Sequence, residues 1–134
     1  MEQRVSLLVD PKGKSGVVPV LISDILYLSY ISKIRKVAFY TADATYYIMG
    51  SKEQWTEVLN NSGGNFLDVD RHNSVNISKV KRTDAKPYFA YFEKFRRIKE
   101  LKCSMSARGY NDLKKEQSVV IVENSIKKLV PEFR

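Results

Sequence analysis

Three arginines far apart in the chain, Arg35, Arg71 and Arg108, sit in turn-like stretches with glycine or polar neighbours. A guanidinium presented from a turn can fork onto O6 and N7 of a guanine, or grip a phosphate with the same planar donors. Arg71 belongs to a polar run, Asp70-Arg71-His72-Asn73-Ser74. Lys33 stands two residues before Arg35, and Lys79 follows the run. Together these eight residues, Lys33, Arg35, Asp70, Arg71, His72, Asn73, Lys79 and Arg108, form the candidate contact set. His72 beside Asp70 invites a catalytic reading, a base with an orienting carboxylate, but no nucleophile is fixed by spacing near it. With one His and one Cys in 134 residues, a His/Cys metal cluster cannot be assembled. Gly13-Lys14-Ser15 resembles the end of a phosphate-binding loop, yet Leu8 stands where that loop needs its first glycine. The sequence therefore offers no catalytic residue, metal set or cofactor cradle, and no small-molecule substrate is expected.

The elements that must position these residues are mostly strands. Arg4 to Asp10 and Val17 to Ile22 read as a hairpin about a Pro/Gly/Lys turn, with Pro19 marking an edge strand. Ile25 to Ile31, Val37 to Thr41 and Thr45 to Met49 are spaced as an antiparallel meander. Ser51 with Gln54 forms a capping box opening a helix over Lys52 to about Asn60, whose inward stripe is Trp55, Val58 and Leu59. Phe66 starts a buried strand, and apolar spacing returns at Val75, Ile77 and Val80. The polar run between them is thus held at both ends, as binding loops on rigid frames are. Tyr88 to Phe92 and Phe95 to Lys102 read as a further hairpin joined near Glu93 and Lys94. Ser104 or Ser106 caps a short helix through Tyr110 and Leu113. Ser118 to Val122 has strand propensity, whereas Glu123 to Val130 has a helical pattern up to Pro131.

Composition bounds the class. An apolar content of 43% with 28% charged residues is that of a globular domain, and eight Tyr with six Phe favour strands. No apolar run approaches the ~18 residues of a membrane span. The first residues lack the pattern of a signal peptide, and a single cysteine, Cys103, fits a reducing cytoplasm. The net charge of +8 is localised. Between Arg71 and Arg108 there are eleven Lys/Arg and three Asp/Glu, and the rest of the chain carries twelve of each sign. A basic excess confined to one stretch points to a polyanion partner.

Three motifs in order resemble a known family. Ser23-Asp24-Ile25-Leu26-Tyr27-Leu28 is similar to an early Asp-Ile-Leu-Tyr strand. The segment from Phe66 through Val69, Arg71 and Val75-Asn76-Ile77 to Val80 is similar to a central signature. Ser106-Ala107-Arg108-Gly109-Tyr110-Asn111-Asp112-Leu113 resembles a closing Ser-x-Arg-x-Tyr motif. The set resembles the LytTR domain, the DNA-binding module of bacterial LytR/AgrA-type response regulators, over roughly residues 17 to 116. The resemblance implies a mostly β fold of antiparallel sheets with one or two short helices. Residues 117–134 would form a C-terminal extension for packing or dimerisation, within a single domain spanning 1–134.

The resemblance also implies a function. LytTR domains place DNA contacts on loops and strand ends that enter successive major grooves, without a recognition helix. Arg35 falls on the contact after the early strand, Arg71 on the base-reading position of the central signature, and Arg108 on the arginine of the closing motif. One departure is Asp70, where the family often has His; here His72 lies on the other side of Arg71. The acid could orient Arg71, accept from a cytosine amine, or repel phosphate. The expected activity is sequence-specific double-stranded DNA binding by a cytoplasmic bacterial transcriptional regulator, with a homodimer on paired sites as a further expectation. The alternative is a LytTR-fold protein-interaction module that has lost DNA affinity. Structural roles for the same residues stay open: Arg71 paired with Asp68 or Asp70, Arg108 as an ordinary helix-start residue, and Asn76 satisfying backbone groups.

Overall fold

The computed structural model describes residues 2–92 and 101–129, with side chains through Ser118. The chain runs β1 (Arg4–Leu8), β2 (Val17–Leu21), β3 (Tyr27–Ile31), β4 (Lys36–Tyr40), β5 (Thr45–Ile48), α1 (Lys52–Asn60), β6 (Phe66–Asp68) and β7 (Asn73–Asn76). It continues with β8 (Val80–Asp84), β9 (Phe89–Phe92), β10 (Lys102–Ser104) and α2 (Ala107–Leu129). The first seven strands form one antiparallel sheet ordered β2-β1-β5-β4-β3-β7-β6, and the last three form a second, β10-β9-β8. The mostly β, antiparallel architecture with two helices agrees with the reading of the sequence.

Alternation along the strands decides what covers each face. In β3, Leu28 points with Val37, Phe39 and Leu7 into a core shared with Leu59 and Phe66, beneath α1. Its neighbour Tyr27 points the other way, with Val75, Val80, Phe92 and Leu113, into a second core under the small sheet and the start of α2. Phe39 and Phe92 are 0% and 1% exposed, so each contributes about 1.5–3 kcal/mol by leaving water. Both faces of the central strands are therefore covered, and the turns at the two ends of the sheet present polar groups.

Most expected elements are present, with instructive shifts. β2 is an edge strand, where Pro19, facing Ser6, costs no ladder bond on its outer side. The meander pairs as expected, but a 3-10 turn at Ile22–Asp24 delays β3 to Tyr27. Ser51 accepts from the Gln54 N–H at 3.0 Å and opens α1 as the capping box predicts. Val58, however, is 41% exposed and not part of the inward stripe. Leu59 is buried as expected, and Lys52 and Thr56 are buried with it, because α1 rests a polar edge on β6. The helix after Ser106 is long, Ala107–Leu129, and its backbone takes in the strand-prone residues 118–122; local propensity is overridden there. The hairpin arm expected over Phe95 to Lys102, with its turn near Glu93 and Lys94, lies mostly outside the described residues. Within them, Lys102–Ser104 pairs with β9.

Candidate nucleic-acid interface

The β6–β7 turn that carries Arg71 is locked from four sides. Its own Asp70 closes it: Oδ1 accepts from the backbone N–H of His72 at 2.7 Å and of Asn73 at 3.0 Å. From α1, the buried Lys52 ammonium donates to the Asp70 carbonyl at 3.2 Å and pairs with Asp68 at 3.0 Å and Glu53 at 3.4 Å. From β10, the Ser104 carbonyl accepts from Asn73 Nδ2 at 3.0 Å. From α2, both the N–H and the hydroxyl of Ser106 donate to the Val69 carbonyl, at 2.9 and 3.1 Å. Ser106 Oγ then accepts from the Gly109 N–H at 2.9 Å, capping α2. The Lys52 ammonium is buried but its carboxylate partners are about half exposed or more, so water screens those pairs, and the turn is held by the four sets of bonds together.

Gly109 sets how closely α2 approaches the turn. A Cβ added there would lie 1.8 Å from the Val69 carbonyl oxygen and 2.6 Å from its Cα. Only glycine lets the helix start rest directly on the loop backbone. This brings Arg108 and Arg71 to one open cleft, whose other charged lining residues are Asp68, Asp70 and Asp112. Arg71 also borders a second cleft with Tyr30, Lys52, Glu53 and His72.

Arg35 arrives from the β3–β4 turn at the same end of the sheet. Tyr30 donates its N–H to the His72 carbonyl at 2.8 Å, and the Tyr30 and His72 rings stack at 6.3 Å, joining the two turns. Arg35 has a left-handed backbone, φ 56°, and is exposed, as is Lys33 on the same turn. Among the described residues none of Arg35, Arg71 and Arg108 forms an ion pair; Arg71 does not bridge to Asp68 or Asp70.

Two candidates sit elsewhere. Lys79 lies at the opposite end of the large sheet, in a cleft with Arg4, Asp24 and Asp43. Asn73 is buried, its amide turned to Ser104 and Asp70, so it holds the turn from beneath. Asn76 likewise satisfies backbone, donating to the Ile25 carbonyl at 2.8 Å. His72 and Asp70 make no catalytic pair, since Asp70 takes the backbone N–H of His72 and not its ring. Cys103 is a core residue whose thiol is pushed up by burial and then by the Asp70 charge, away from reactivity. The Glu53 carboxyl is held low by its own backbone N–H first and by Lys52 next. In the β1–β2 turn, the Ser15 N–H, joined by those of Lys14 and Lys12, lowers the Asp10 carboxyl.

Sequence reasoning passed over Lys52 and Gly109. Lys52 gives no signal beyond its i, i+4, i+7 spacing with Thr56 and Leu59. Gly109 does give one, as a glycine inside the first turn of a helix, where it costs about 1 kcal/mol against alanine unless close packing requires it.

At one end of the β scaffold, turns and a helix start carry arginines that form no ion pair among the described residues, an arrangement suited to an anionic partner. The comparisons give the family. The sequence model of the LytTr DNA-binding domain matches residues 15–118, and the chain belongs to the LytTR family of DNA-binding domains. Among solved structures it is similar to the LytTr DNA-binding domain of a Bacillus cereus protein described as a methyl-accepting/DNA response regulator. The two are 20% identical, the match covers 84% of this chain and 97% of that one, and the TM-score is 0.59; the fold is shared. Comparison with curated proteins gives no match. Among the described residues no helix is long and apolar enough to cross a membrane.

Proposed function

We propose that this domain binds double-stranded DNA sequence-specifically as part of a bacterial transcriptional regulator, presenting Arg35, Arg71 and Arg108 from turns and a helix start to the major groove. The observation that carries this reading is the cleft shared by Arg71, on a turn fixed from four sides, and Arg108 at the start of α2, both exposed and without an ion pair among the described residues. The backbone beneath Arg71 is already fixed, so binding has to order the arginine side chain and not the turn that carries it. Lys33 and His72 flank the forks as phosphate contacts, which position the domain without reading sequence. Lys79, at the far end, is left out of the interface. The interaction-module alternative rested on Asp70, and the turn itself accounts for that acid by using its carboxylate for two backbone bonds.

The test is a selection of duplexes from a random pool, followed by titration of the selected site. Arg71→Ala and Arg108→Ala should each weaken binding by ~1–3 kcal/mol, whereas Lys79→Ala should change it little. Log K should fall with log salt by ~0.9 per phosphate neutralised. Wild-type protein that selects no sequence and ignores random duplex at low salt would instead favour the interaction module.

A further inference from the structure

Among the described residues two positions other than glycine hold a left-handed backbone, Arg35 at φ 56° and Lys86 at φ 59°. Glycine adopts that conformation without steric cost, and Asn tolerates it, whereas a long side chain does not favour it. Positions of this kind cluster at functional sites, and here both residues are exposed cations in turns. Lys86 belongs to the β8–β9 turn, and that turn lies at the Arg71 end. Phe89, which follows the turn, faces Ser104, and Ser104 accepts from Asn73 in the Arg71 turn. Tyr88 accepts from the Met105 N–H at 3.0 Å, and its ring packs 5.1 Å from that of Tyr110 on α2. The start of α2 thus sits between the Arg71 turn and the Lys86 turn.

Resting on the DNA-binding reading above, we infer that the β8–β9 turn is a further arm of the interface, in which Lys86 holds a backbone phosphate on the side of α2 away from Arg35. Lysine suits that task as a compact point charge on a flexible stem, and it carries no base specificity. Asp84, which flanks the turn, is paired with Arg82 at 3.3 Å and does not cancel the Lys86 charge.

The backbone conformation makes the test clean, because Lys86→Gly relaxes the turn while removing the cation. Lys86→Gly and Lys86→Asn should melt no lower than wild type, yet bind both the selected duplex and random duplex roughly threefold to tenfold more weakly. The slope of log K against log salt should shrink by about one. Lys86→Arg should restore binding, and Lys79→Gln, which removes the same charge at the far end, should not reproduce the loss. Binding by Lys86→Gly equal to that of Lys79→Gln, an unchanged salt slope, or a loss confined to the selected sequence would each overturn the assignment. If wild type binds no DNA, the parent reading fails; if wild type binds and Arg71→Ala weakens it while Lys86→Gly does not, this inference alone fails.

Discussion

The large sheet has two ends, and both carry charged residues. At one end Arg4 and Lys79 share a cleft with Asp24 and Asp43, two cations facing two acids. At the other, Arg71 and Arg108 share a cleft in which two of the three carboxylates are already occupied. Asp68 is held by Lys52 and Asp70 by its own turn. Accepting backbone N–H groups leaves the Asp70 charge in place, and this cleft holds two arginines against three carboxylates, so the contrast lies in how the acids are held and not in a positive excess. The difference also extends to rigidity. The Arg71 turn is tied to α1, β10 and α2, so its backbone is held in one geometry from which the arginine side chain projects.

The most damaging change to this contrast should be Gly109→Ala. In an open helix position alanine stabilises by about 1 kcal/mol over glycine. Here the new Cβ would meet the Val69 backbone at 1.8 Å, and overpacking of that kind costs on the order of 1–3 kcal/mol or more. The melting temperature should fall, and DNA binding should drop at least tenfold, because the Arg71 turn and Arg108 separate together. A variant that melts higher than wild type would mean that α2 does not seat on the turn.

Lys52→Met should rank next. The substitution keeps the volume but leaves the Asp70 carbonyl without its donor and Asp68 without its partner. Asp68 is 48% exposed, so water can take over its carboxylate, and the cost should stay near ~1–2 kcal/mol in place of that of an unpaired buried charge. Affinity for the selected duplex should fall as the Arg71 turn loosens, while random-duplex binding changes less. Removing an exposed lysine, as in Lys12→Met, should leave stability unchanged. Equal losses on both duplexes would reduce Lys52 to one charge among many.

What the sequence disclosed follows the same division. Strand alternation, the Ser51 capping box and the edge position of Pro19 are local signals, and they placed the elements. The placement of Arg71 and Arg35 on turns and of Arg108 at a helix start was legible because turn and capping chemistry are local. Lys79 comes seven positions after His72, yet β7 carries the chain ~3.3 Å per residue toward the opposite end of the sheet, a separation that sequence spacing does not show. Asn73 and Lys52 were illegible for a different reason. Polar residues read as exposed, and only the tertiary arrangement reveals that Ser104 and Asp68 wait for them in the interior. Val58 failed in the same way, since the face that α1 buries is set by the Lys52–Asp68 pair as much as by its apolar stripe.

The smallest predicted effect sharpens the contrast from the acidic side. Asp112 lines the cleft of Arg71 and Arg108, one turn along α2 from Arg108, and unlike Asp68 it is not held by Lys52. A phosphate entering the cleft meets this carboxylate. At the separations of such a cleft, in a partly exposed setting, like-charge repulsion amounts to a fraction of a kcal/mol up to about 1 kcal/mol, weakened further by salt. Asp112 lies beyond the first turn of α2, so little helix-dipole stabilisation is lost on neutralising it. Asp112→Asn should therefore tighten DNA binding by roughly twofold to fivefold at low ionic strength, the gain shrinking as salt is added. Anisotropy titrations at two salt concentrations would measure it. Weaker binding by this variant would give Asp112 a positive role, either orienting Arg108 or accepting from a base, and would place an acid among the groups that read the site.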